Sequence, residues 1–384
     1  MVLPSTSAAA SLAHYRAQFP VFRKSIYLNS CSLGPLSLRS REMIGRYLDE
    51  WDQRGASAWY DTWLPALDRL RAGYAAVIGA PAEAIALHPS ISSALTAVAE
   101  SIDYRSRPRV VTTALDFPTV AYQWLAKARD RIEVRVVPSP DGTTVPVELL
   151  AREIDDRTAL VATSHVFFTT GAIQDLARLS AACRHAGTLL FVDGYQGAGQ
   201  VPVDVAATGV DFYASGGLKW LLGGSGIAFL YSNQATTGHL SPRTAGWFGH
   251  AAPFEFDVES LVLRSDGRRF EAGTPSVAAV YAQLAGLELL QEAGLDRVQA
   301  ATRTLAADLV ERAEALGLAA LVAADPGRRS AIVTIPRQDP NADVRSLAEA
   351  GIIADSRPGL VRLSPYFYNT PDDHAAALEI LTHG

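Results

Sequence analysis

Strand-like and helix-like segments alternate through the middle of the chain, from about residue 84 to residue 231. The strand-like segments are short apolar runs, such as ALVAT from Ala159, and each ends in a turn of small or polar residues. Runs that are apolar throughout are typical of strands covered on both faces, and parallel strands need a connecting helix between them. The alternation therefore predicts an α/β fold, a three-layer sandwich built on a mainly parallel sheet.

The two ends of the chain have a different character. After Tyr231 the sequence becomes aromatic and turn-rich, and its last third alternates long helices with the strand-like runs SAIVTIP and LVRLSP. This pattern predicts a smaller α+β domain at the C-terminal end. The N-terminal part holds one short strand, IYLN, and a small-residue turn that runs to Gly34. We expect an arm that joins the small domain over residues 1–40, a large domain over residues 41–260 and the small domain over residues 261–384.

Length and charge narrow the class of protein. A chain of 384 residues with 48% apolar and 19% charged residues suits an enzyme with one large and one smaller domain. The formal net charge is −6, so the sequence shows no basic surface for nucleic acid. No apolar run approaches the length of a membrane helix, and the N-terminus does not read as a signal peptide. Two cysteines make neither a disulfide framework nor a metal site, so we expect a cytoplasmic protein without metal, nucleic-acid or membrane partners.

Lys219 is the one charged residue in the segment that runs from Phe212 to Gly226. Small residues precede it, and a glycine-rich turn and an apolar strand follow it. Burying an ammonium group among such neighbours is costly, so the pKa of this lysine is expected to fall. A neutral amine in a cleft can form a Schiff base with an aldehyde. The alternative is an ordinary lysine that extends its amine to solvent at a domain edge.

A second polar residue lies upstream, where the apolar run from Thr188 to Val192 ends in Asp193. Buried parallel strands end in this way at the carboxyl edge of a sheet, where open α/β sheets bind their ligands. Asp193 is therefore either a strand-end cap or a carboxylate directed at a ligand. A carboxylate of this kind can keep a pyridine nitrogen protonated, which makes the ring an electron sink.

With their flanks, LLFVDGYQGAGQ and VDFYASGGLKWLLGGSG, these two segments resemble the fold-type I pyridoxal phosphate enzymes of the class V aminotransferase superfamily. That superfamily includes kynureninases, cysteine desulfurases and isopenicillin N epimerase-like proteins, and the resemblance covers nearly the whole chain. It implies the cofactor pyridoxal 5'-phosphate (PLP), bound by the large domain. It further implies that Lys219 carries the aldimine, that Asp193 pairs with the pyridine nitrogen and that Gln196 lies beside the phenolic oxygen of the ring.

Further cofactor contacts follow from the resemblance. The segment LHPSISSALTAVAESI begins a helix with serines, which suits either an anion site or a plain helix cap. Phe117, in the segment FPT, is either a core residue or a ring that stacks on the cofactor. His165 is either a core residue or a neighbour of the ring. The resemblance implies cofactor binding by Ile91, Ser92, Ser93, Phe117, His165 and Ser215.

One pair of cofactor contacts implies a second subunit. In the superfamily, a Gly-Thr pair of one subunit reaches the phosphate bound by the other, and Gly273 and Thr274 match that pair. The resemblance thus implies a homodimer with active sites at the subunit interface. The residues alone predict only a turn before a helix.

Substrate contacts are implied in three places. The segment YLNSCSLG matches the arm that covers the active site in the superfamily, and GWFGH matches a kynureninase-like pocket segment. Arg362 stands near the C-terminal end, and a guanidinium group can bind a carboxylate through two parallel hydrogen bonds. The alternatives are an ordinary arm, a packed loop and a surface arginine. The residues implied to bind an amino-acid substrate are Asn29, Ser30, Trp247, His250 and Arg362.

The resemblance predicts an enzyme that acts on an α-amino acid through an external aldimine and an α-carbanion, with Lys219 as the base. The loop from Ile353 to Val361 lacks the cysteine of the desulfurases, and Leu218 and Val120 replace a tyrosine and an aspartate of the kynureninases. We therefore expect a β-lyase-type reaction that cleaves a C–S or C–C bond. The alternatives are an aminotransferase, an epimerase or a decarboxylation-coupled deaminase of specialised metabolism, and, in a different class, a non-catalytic PLP-binding protein.

Overall fold

The structure is a computed structural model in which residues 12–127 and 131–383 are described. The first eleven residues of the expected N-terminal arm lie outside the described residues. Within the described ranges, no helix is both long and apolar enough to cross a membrane.

Strands and helices alternate as expected through the centre of the chain. The strands are β1 (Ile26–Tyr27), β2 (Ile85–His88), β3 (Arg109–Thr113), β4 (Glu133–Val137), β5 (Thr158–Ser164), β6 (Leu189–Asp193), β7 (Phe212–Gly216), β8 (Ala228–Ser232), β9 (Val333–Pro336), β10 (Ile352–Ile353), β11 (Asp355–Arg357) and β12 (Leu360–Leu363). The α-helices are α1 (Leu38–Arg54), α2 (Leu64–Ile78), α3 (Ile91–Ser101), α4 (Pro118–Leu125), α5 (Val147–Arg152), α6 (Leu176–His185), α7 (Val205–Thr208), α8 (Gln234–Thr237), α9 (Val277–Ala293), α10 (Leu295–Ala315), α11 (Pro340–Glu349) and α12 (Pro371–His383).

The main sheet has seven strands in the order β2-β8-β7-β6-β5-β3-β4. Strand β8 pairs antiparallel with both of its neighbours, and the pairs among β3 to β7 are all parallel. Strands β5 and β7 are buried at every position, and their apolar side chains are divided between two separate apolar clusters. This is the covered, mainly parallel sheet that the sequence predicts, and the fold class is confirmed.

The C-terminal end forms its own antiparallel sheet, in the order β11-β12-β9, and a third apolar cluster fills the space between this sheet and its helices. Strand β1 of the N-terminal segment pairs in parallel with β10, with Ile26 opposite Ile352. Helix α9 is buried along most of its length and packs against α1 and α2. The beginning of the chain is therefore hydrogen-bonded to a strand near its end, while the expected domain boundaries remain a prediction.

Candidate active site

A cleft of about 250 Å³ opens at the carboxyl edge of the main sheet. Strands β5 and β6 end there side by side, because Ser164 is paired with Asp193, and Asp193 is paired in turn with Ala214 of β7. Lys219 follows shortly after the end of β7. The residues that line the cleft are Ser90, Ile91, Ser92, Phe117, Thr119, Ser164, Val166, Phe168, Asp193, Tyr195, Gln196, Leu218 and Lys219.

The amine of Lys219 is the cation of this cleft. Burial lowers its pKa from the usual 10.5 to about 8. Cys31 and Asp193 act in the opposite direction, while the positive charges of Arg362 and Arg357 lower the pKa further. The nitrogen lies 4.6 Å from the centre of the Tyr195 ring, and no hydrogen bond or ion pair ties it to any other described residue. About half of the amine is therefore neutral near pH 8, and the neutral form is free to react.

The backbone on both sides of Lys219 is held from two directions. Gly34 of the N-terminal segment donates a hydrogen bond of 2.8 Å to the carbonyl of Leu218. A Cβ atom at Gly34 would lie 2.3 Å from the carbonyl oxygen of Lys219, so only glycine allows this approach. On the other side, Gln283 of α9 donates a hydrogen bond of 2.9 Å to the carbonyl of Leu221. A backbone N–H of the arm and a side chain of α9 thus fix the turn that presents the lysine.

Asp193 is buried at the floor of the cleft. Burial raises its pKa to about 6, the hydrogen bond from Tyr195 N and the charge of Lys219 act against this rise, and the carboxyl of Asp116 adds to it. One oxygen accepts a hydrogen bond of 2.9 Å from Tyr195 N. No described residue donates a hydrogen bond to the other oxygen. A buried carboxyl group with a free oxygen suits a cationic ring nitrogen as its partner.

Gln196 joins this floor to the N-terminal arm. Its side-chain oxygen accepts a hydrogen bond of 2.8 Å from Trp220 Nε1, and its amide nitrogen donates one of 2.9 Å to the carbonyl of Cys31. These two bonds fix the orientation of the amide at the edge of the cleft.

The N-terminus of α3 forms the opposite wall. Ser90 and Ser93 close a reciprocal capping box, in which Ser93 N donates to Ser90 Oγ over 3.2 Å and Ser90 N donates to Ser93 Oγ over 3.3 Å. Ile91 and Ser92 line the cleft, and the first N–H groups of a helix have no partner within the helix. This end of the helix can hold a phosphate group, while Ser93 is used by the cap.

Phe117 completes the wall at the rim of the cleft. It is 43% exposed, and its ring packs edge-on against Phe168 with 5.2 Å between the ring centres. An anion site, an exposed aromatic face, a buried carboxyl group with a free oxygen and a free amine are what PLP requires. The residues present therefore fit this cofactor.

Ten predicted residues do not line the cleft, and four of these are held by contacts with other parts of the chain. His165 lies between two cleft residues, Ser164 and Val166, and consecutive side chains of an extended segment point to opposite faces. Its Nδ1 is 3.0 Å from the hydroxyl of Tyr213, and burial lowers its pKa to about 4. The other three are Ser215, which donates to the Tyr74 hydroxyl over 2.8 Å, Ser30, whose hydroxyl is 2.8 Å from that of Tyr368, and Asn29, which is bridged to Ser364.

Four more predicted residues lie in exposed or separate segments. Gly273 and Thr274 are exposed to solvent and do not line the cleft of their own chain. Trp247 packs against a cluster of phenylalanines, and His250 Nδ1 accepts a hydrogen bond of 3.0 Å from Ala252 N. Their expected contacts with a cofactor or substrate remain predictions.

Arg362 lies behind Phe168 and is 1% exposed. It donates hydrogen bonds to the Phe168 carbonyl over 2.6 Å, to Ser32 Oγ over 2.7 Å and to Asp355 Oδ2 over 2.6 Å. Sequence reasoning missed Asp355. A signal was present, since a two-residue Pro358-Gly359 turn places Asp355 opposite Arg362 in a hairpin.

Other cleft residues were missed as well. Tyr195 stands two residues after Asp193, and Ser164 and Val166 flank His165 on the same strand end. Counting in steps of two from the strand ends would have found them, because alternate side chains share a face. The cleft-lining residues outside the predicted set are Ser90, Thr119, Ser164, Val166, Phe168, Tyr195 and Leu218.

Comparison with known proteins gives consistent results. The sequence model of a family described as Aminotransferase class-V matches residues 51–373. The chain is 34% identical over 368 residues to an uncharacterized aminotransferase, YcbU, of Bacillus subtilis (strain 168), covering 95% of this chain and 96% of that protein. It is 28% identical over 376 residues to a kynureninase of Deinococcus radiodurans, covering 94% and 90% of the two chains.

Solved structures of C-DES, a cystine C–S lyase, have the same fold. One has glycine covalently linked to the PLP cofactor, with a TM-score of 0.88 and 23% identity over 96% of this chain and 98% of that chain. Another holds the reaction product cysteine persulfide, with a TM-score of 0.86 and 23% identity over 95% and 99% of the two chains.

Proposed function

The chain belongs to the class V aminotransferase family and is a PLP-dependent lyase or transferase, and from this premise we propose that it is a β-lyase of an α-amino acid. The reaction removes the α-proton and cleaves a C–S or C–C bond in the substrate side chain. One observation carries the proposal: an amine whose pKa is lowered to about 8, Lys219, faces the same cleft as a buried carboxyl group with a free oxygen, Asp193.

Each residue has one task in this proposal. Bound PLP supplies an aldehyde that takes the substrate amine and a ring that withdraws electrons from its α-carbon. Asp193 holds a proton at the ring nitrogen, and the N–H groups of Ile91 and Ser92 bind the phosphate. The neutral amine of Lys219 takes the α-proton, because a base with a pKa near the working pH transfers protons best. Arg362 binds the α-carboxylate.

The apolar part of the cleft wall supports a lyase whose leaving group needs no further acid or base. Val166, Phe168 and Leu218 line it, and none of these side chains can act as an acid or a base. Leu218 stands where the kynureninases have a tyrosine, which disfavours kynurenine as the substrate. The fold shared with a cystine C–S lyase supports a sulfur-containing amino acid, such as cystine, as the first substrate to test.

The proposal includes a homodimer. Gly273 and Thr274 are exposed, and the neighbouring segment carries large apolar side chains in solvent, with Phe256 70% and Val258 96% exposed. Exposed apolar side chains in one segment mark surfaces that another protein covers. A second copy would cover this segment and bring the Gly273-Thr274 turn to the phosphate of the first.

The experiment incubates PLP-loaded protein with L-cystine, L-kynurenine and L-alanine in D₂O. Proton NMR measures loss of the α-proton signal, and mass spectrometry identifies the products. A lyase releases ammonia and pyruvate from cystine without a second substrate, because the α-proton leaves first and the sulfur leaves with the bonding electron pair. An aminotransferase releases no ammonia and requires an oxo-acid acceptor. Absence of α-proton exchange with every amino acid tested would contradict the proposal.

A further inference from the structure

Asp355 is hydrogen-bonded to the guanidinium group of Arg362, which the proposed function assigns to the substrate carboxylate. Its Oδ2 accepts hydrogen bonds from Arg362 Nη2 over 2.6 Å and from Ser32 Oγ over 2.5 Å. Its Oδ1 accepts from Arg357 Nη1 over 2.9 Å and from Ser356 N over 2.7 Å. Each oxygen of the carboxylate therefore contacts a different arginine, Oδ2 with Arg362 and Oδ1 with Arg357.

The hydrogen-bond inventory of Arg362 shows what a substrate must displace. Both hydrogens of Nη2 have partners, Ser32 Oγ and Asp355 Oδ2, and Nη1 donates to the Phe168 carbonyl. The Nε–H group is buried and has no partner among the described residues. A side-on carboxylate uses Nε and Nη2 together. Such a ligand finds Nε free and has to take the place of one Nη2 partner.

The hairpin fixes the backbone position of Asp355. Strands β11 and β12 form a hairpin in which Asp355 lies directly opposite Arg362, and Gly359 in the turn has φ 77°. A one-residue slip in register would move every side chain of β11 to the other face. The ion pair is therefore a cross-strand pair set by the hairpin.

The net charge of the two arginines and Asp355 suits the binding of one more anion. Arg357, Arg362 and Asp355 sum to a single positive charge, and one carboxylate neutralises them. Asp355 is ionised while it contacts both arginines. Burial acts against its charge, but the hydrogen bond from Ser32 and the charges of Arg362 and Arg357 outweigh burial and lower its pKa.

We propose that Asp355 is an internal competitor for the substrate carboxylate, which leaves Arg362 when the amino acid binds and is then retained by Arg357. This inference rests on the proposed function, because it takes Arg362 as the carboxylate site. Ser32, which also contacts Arg362, is then free to donate to the incoming carboxylate. Asp355 thus sets substrate affinity without touching the reacting atoms, and Arg357 acts through Asp355 as a positioning residue.

The test uses propanoate, a carboxylate with no amine, and measures its dissociation constant for the PLP-loaded protein by ligand-observed NMR. Asp355→Asn removes the competing charge and keeps the size of the side chain, so we expect propanoate to bind about ten-fold more tightly. The KM of an amino acid for α-proton exchange should fall by a similar factor with little change in kcat. A dissociation constant that is unchanged or higher would overturn the proposal.

The matched control is Asp343→Asn. Asp343 forms an ion pair with Arg337 over 2.7 Å in the same C-terminal part of the chain, and neither residue lines the cleft. Loss of the Asp343 charge should leave the dissociation constant of propanoate within about two-fold of the wild-type value. Equal gains in the two variants would mean that any lost negative charge strengthens binding, and the proposal would be wrong.

Arg357→Gln is a second variant, and it is expected to weaken propanoate binding rather than strengthen it. Without Arg357, Asp355 has only Arg362 as its cation, so propanoate should bind about five-fold more weakly. In an Asp355→Asn background the same change should have little effect, because Arg357 acts through Asp355. An equal effect in both backgrounds would show that Arg357 acts by its own charge and would overturn the retention step. Wild-type protein that exchanges no α-proton would instead contradict the proposed function.

Discussion

The amine of Lys219 lies among charges that come from three parts of the chain. Cys31 belongs to the N-terminal arm, Asp193 to the main sheet, and Arg357 and Arg362 to the C-terminal hairpin, and all four affect the pKa of the lysine. Burial remains the largest influence and favours the neutral amine. The pKa of the proposed base is thus set by surroundings that no single segment supplies.

Replacing Lys219 by alanine tests the assignment of the reactive amine. Borohydride treatment of the PLP-loaded wild type should fix the pyridoxyl group on Lys219, and peptide mapping by mass spectrometry locates it. Lys219→Ala should bind PLP without this covalent bond and lose α-proton exchange by a factor of about 10³ or more. Lys24→Ala is the control, since Lys24 is an exposed lysine of the arm. Labelling on Lys24 or Lys127 would refute the assignment.

The raised pKa of Asp193 gives a prediction about pH and stability. Ionisation of the buried carboxyl is disfavoured, since its pKa of about 6 lies above the ordinary 3.8. Its contribution to stability is therefore full below 3.8 and is lost as pH rises through about 6. Asp193→Asn should raise the free energy of unfolding of the cofactor-free protein by up to about 3 kcal/mol at pH 8. The gain should shrink as pH is lowered towards 4.

Urea unfolding of the cofactor-free protein at several pH values measures this gain, and turnover of the loaded variant should fall sharply, because a neutral amide does not hold the ring proton. A gain independent of pH would contradict the role of ionisation.

At the scale of elements, the turn that carries Lys219 lies between the N-terminal arm and α9. The Gly34 backbone bonds to one side of the turn, and Gln283 bonds to the other. Leu222, in the same turn, has φ 56°, a conformation that is unfavourable for a residue with a Cβ atom. Packing from both sides holds the turn in this shape.

Gly34→Ala tests this contact. The new Cβ would lie 2.3 Å from the carbonyl oxygen of Lys219, so the arm must move away from the turn. We expect a loss of about 1–3 kcal/mol in the free energy of unfolding and faster hydrogen exchange in the arm. Gly45→Ala is the control: this position lies inside α1 with nothing within 4 Å of the added atom, so alanine should stabilise the helix by about 0.5–1 kcal/mol. Equal effects of the two changes would contradict the predicted contact.

Local patterns predicted the sheet well and the side-chain positions less well. The apolar run that ends at Asp193 is a strand in the structure, and its last residue lies at the floor of the cleft. His165 was expected near the cofactor, and it lies between Ser164 and Val166 without lining the cleft, so its contact with the cofactor stays a prediction. Asp355 could be found only through the pairing of β11 with β12, which a pattern of apolar residues does not contain.

At the scale of the whole molecule, the exposed apolar segment around Trp247 has no cover in the described chain. The rings of Trp247, Phe254 and Phe256 pack on one another, and Val258 beyond them is almost fully exposed. The exposed Gly273-Thr274 turn follows in the sequence. A dimer that covers both would complete the phosphate site from the second subunit.

Val258→Asp tests this arrangement. A charge in a covered apolar contact should weaken the dimer by about 2–4 kcal/mol, which sedimentation velocity measures as a shift towards monomer. PLP should dissociate faster in the same variant, because in the proposed dimer the second subunit supplies part of the phosphate site. Leu316→Asp is the control, since Leu316 is a 48% exposed apolar residue at the end of α10. A wild-type protein that is monomeric at high concentration would reject the dimer.

The pairing of β1 with β10 has a consequence for biosynthesis. Tyr27 pairs with Ile353, and its carbonyl accepts a hydrogen bond from Asn369, so the arm has these binding partners only when the chain has been translated beyond Asn369. Before those partners leave the ribosome, the arm is held by fewer contacts, among them the hydrogen bond from Gly34 N to the Leu218 carbonyl. We therefore expect the arm to close over the lysine turn late in synthesis.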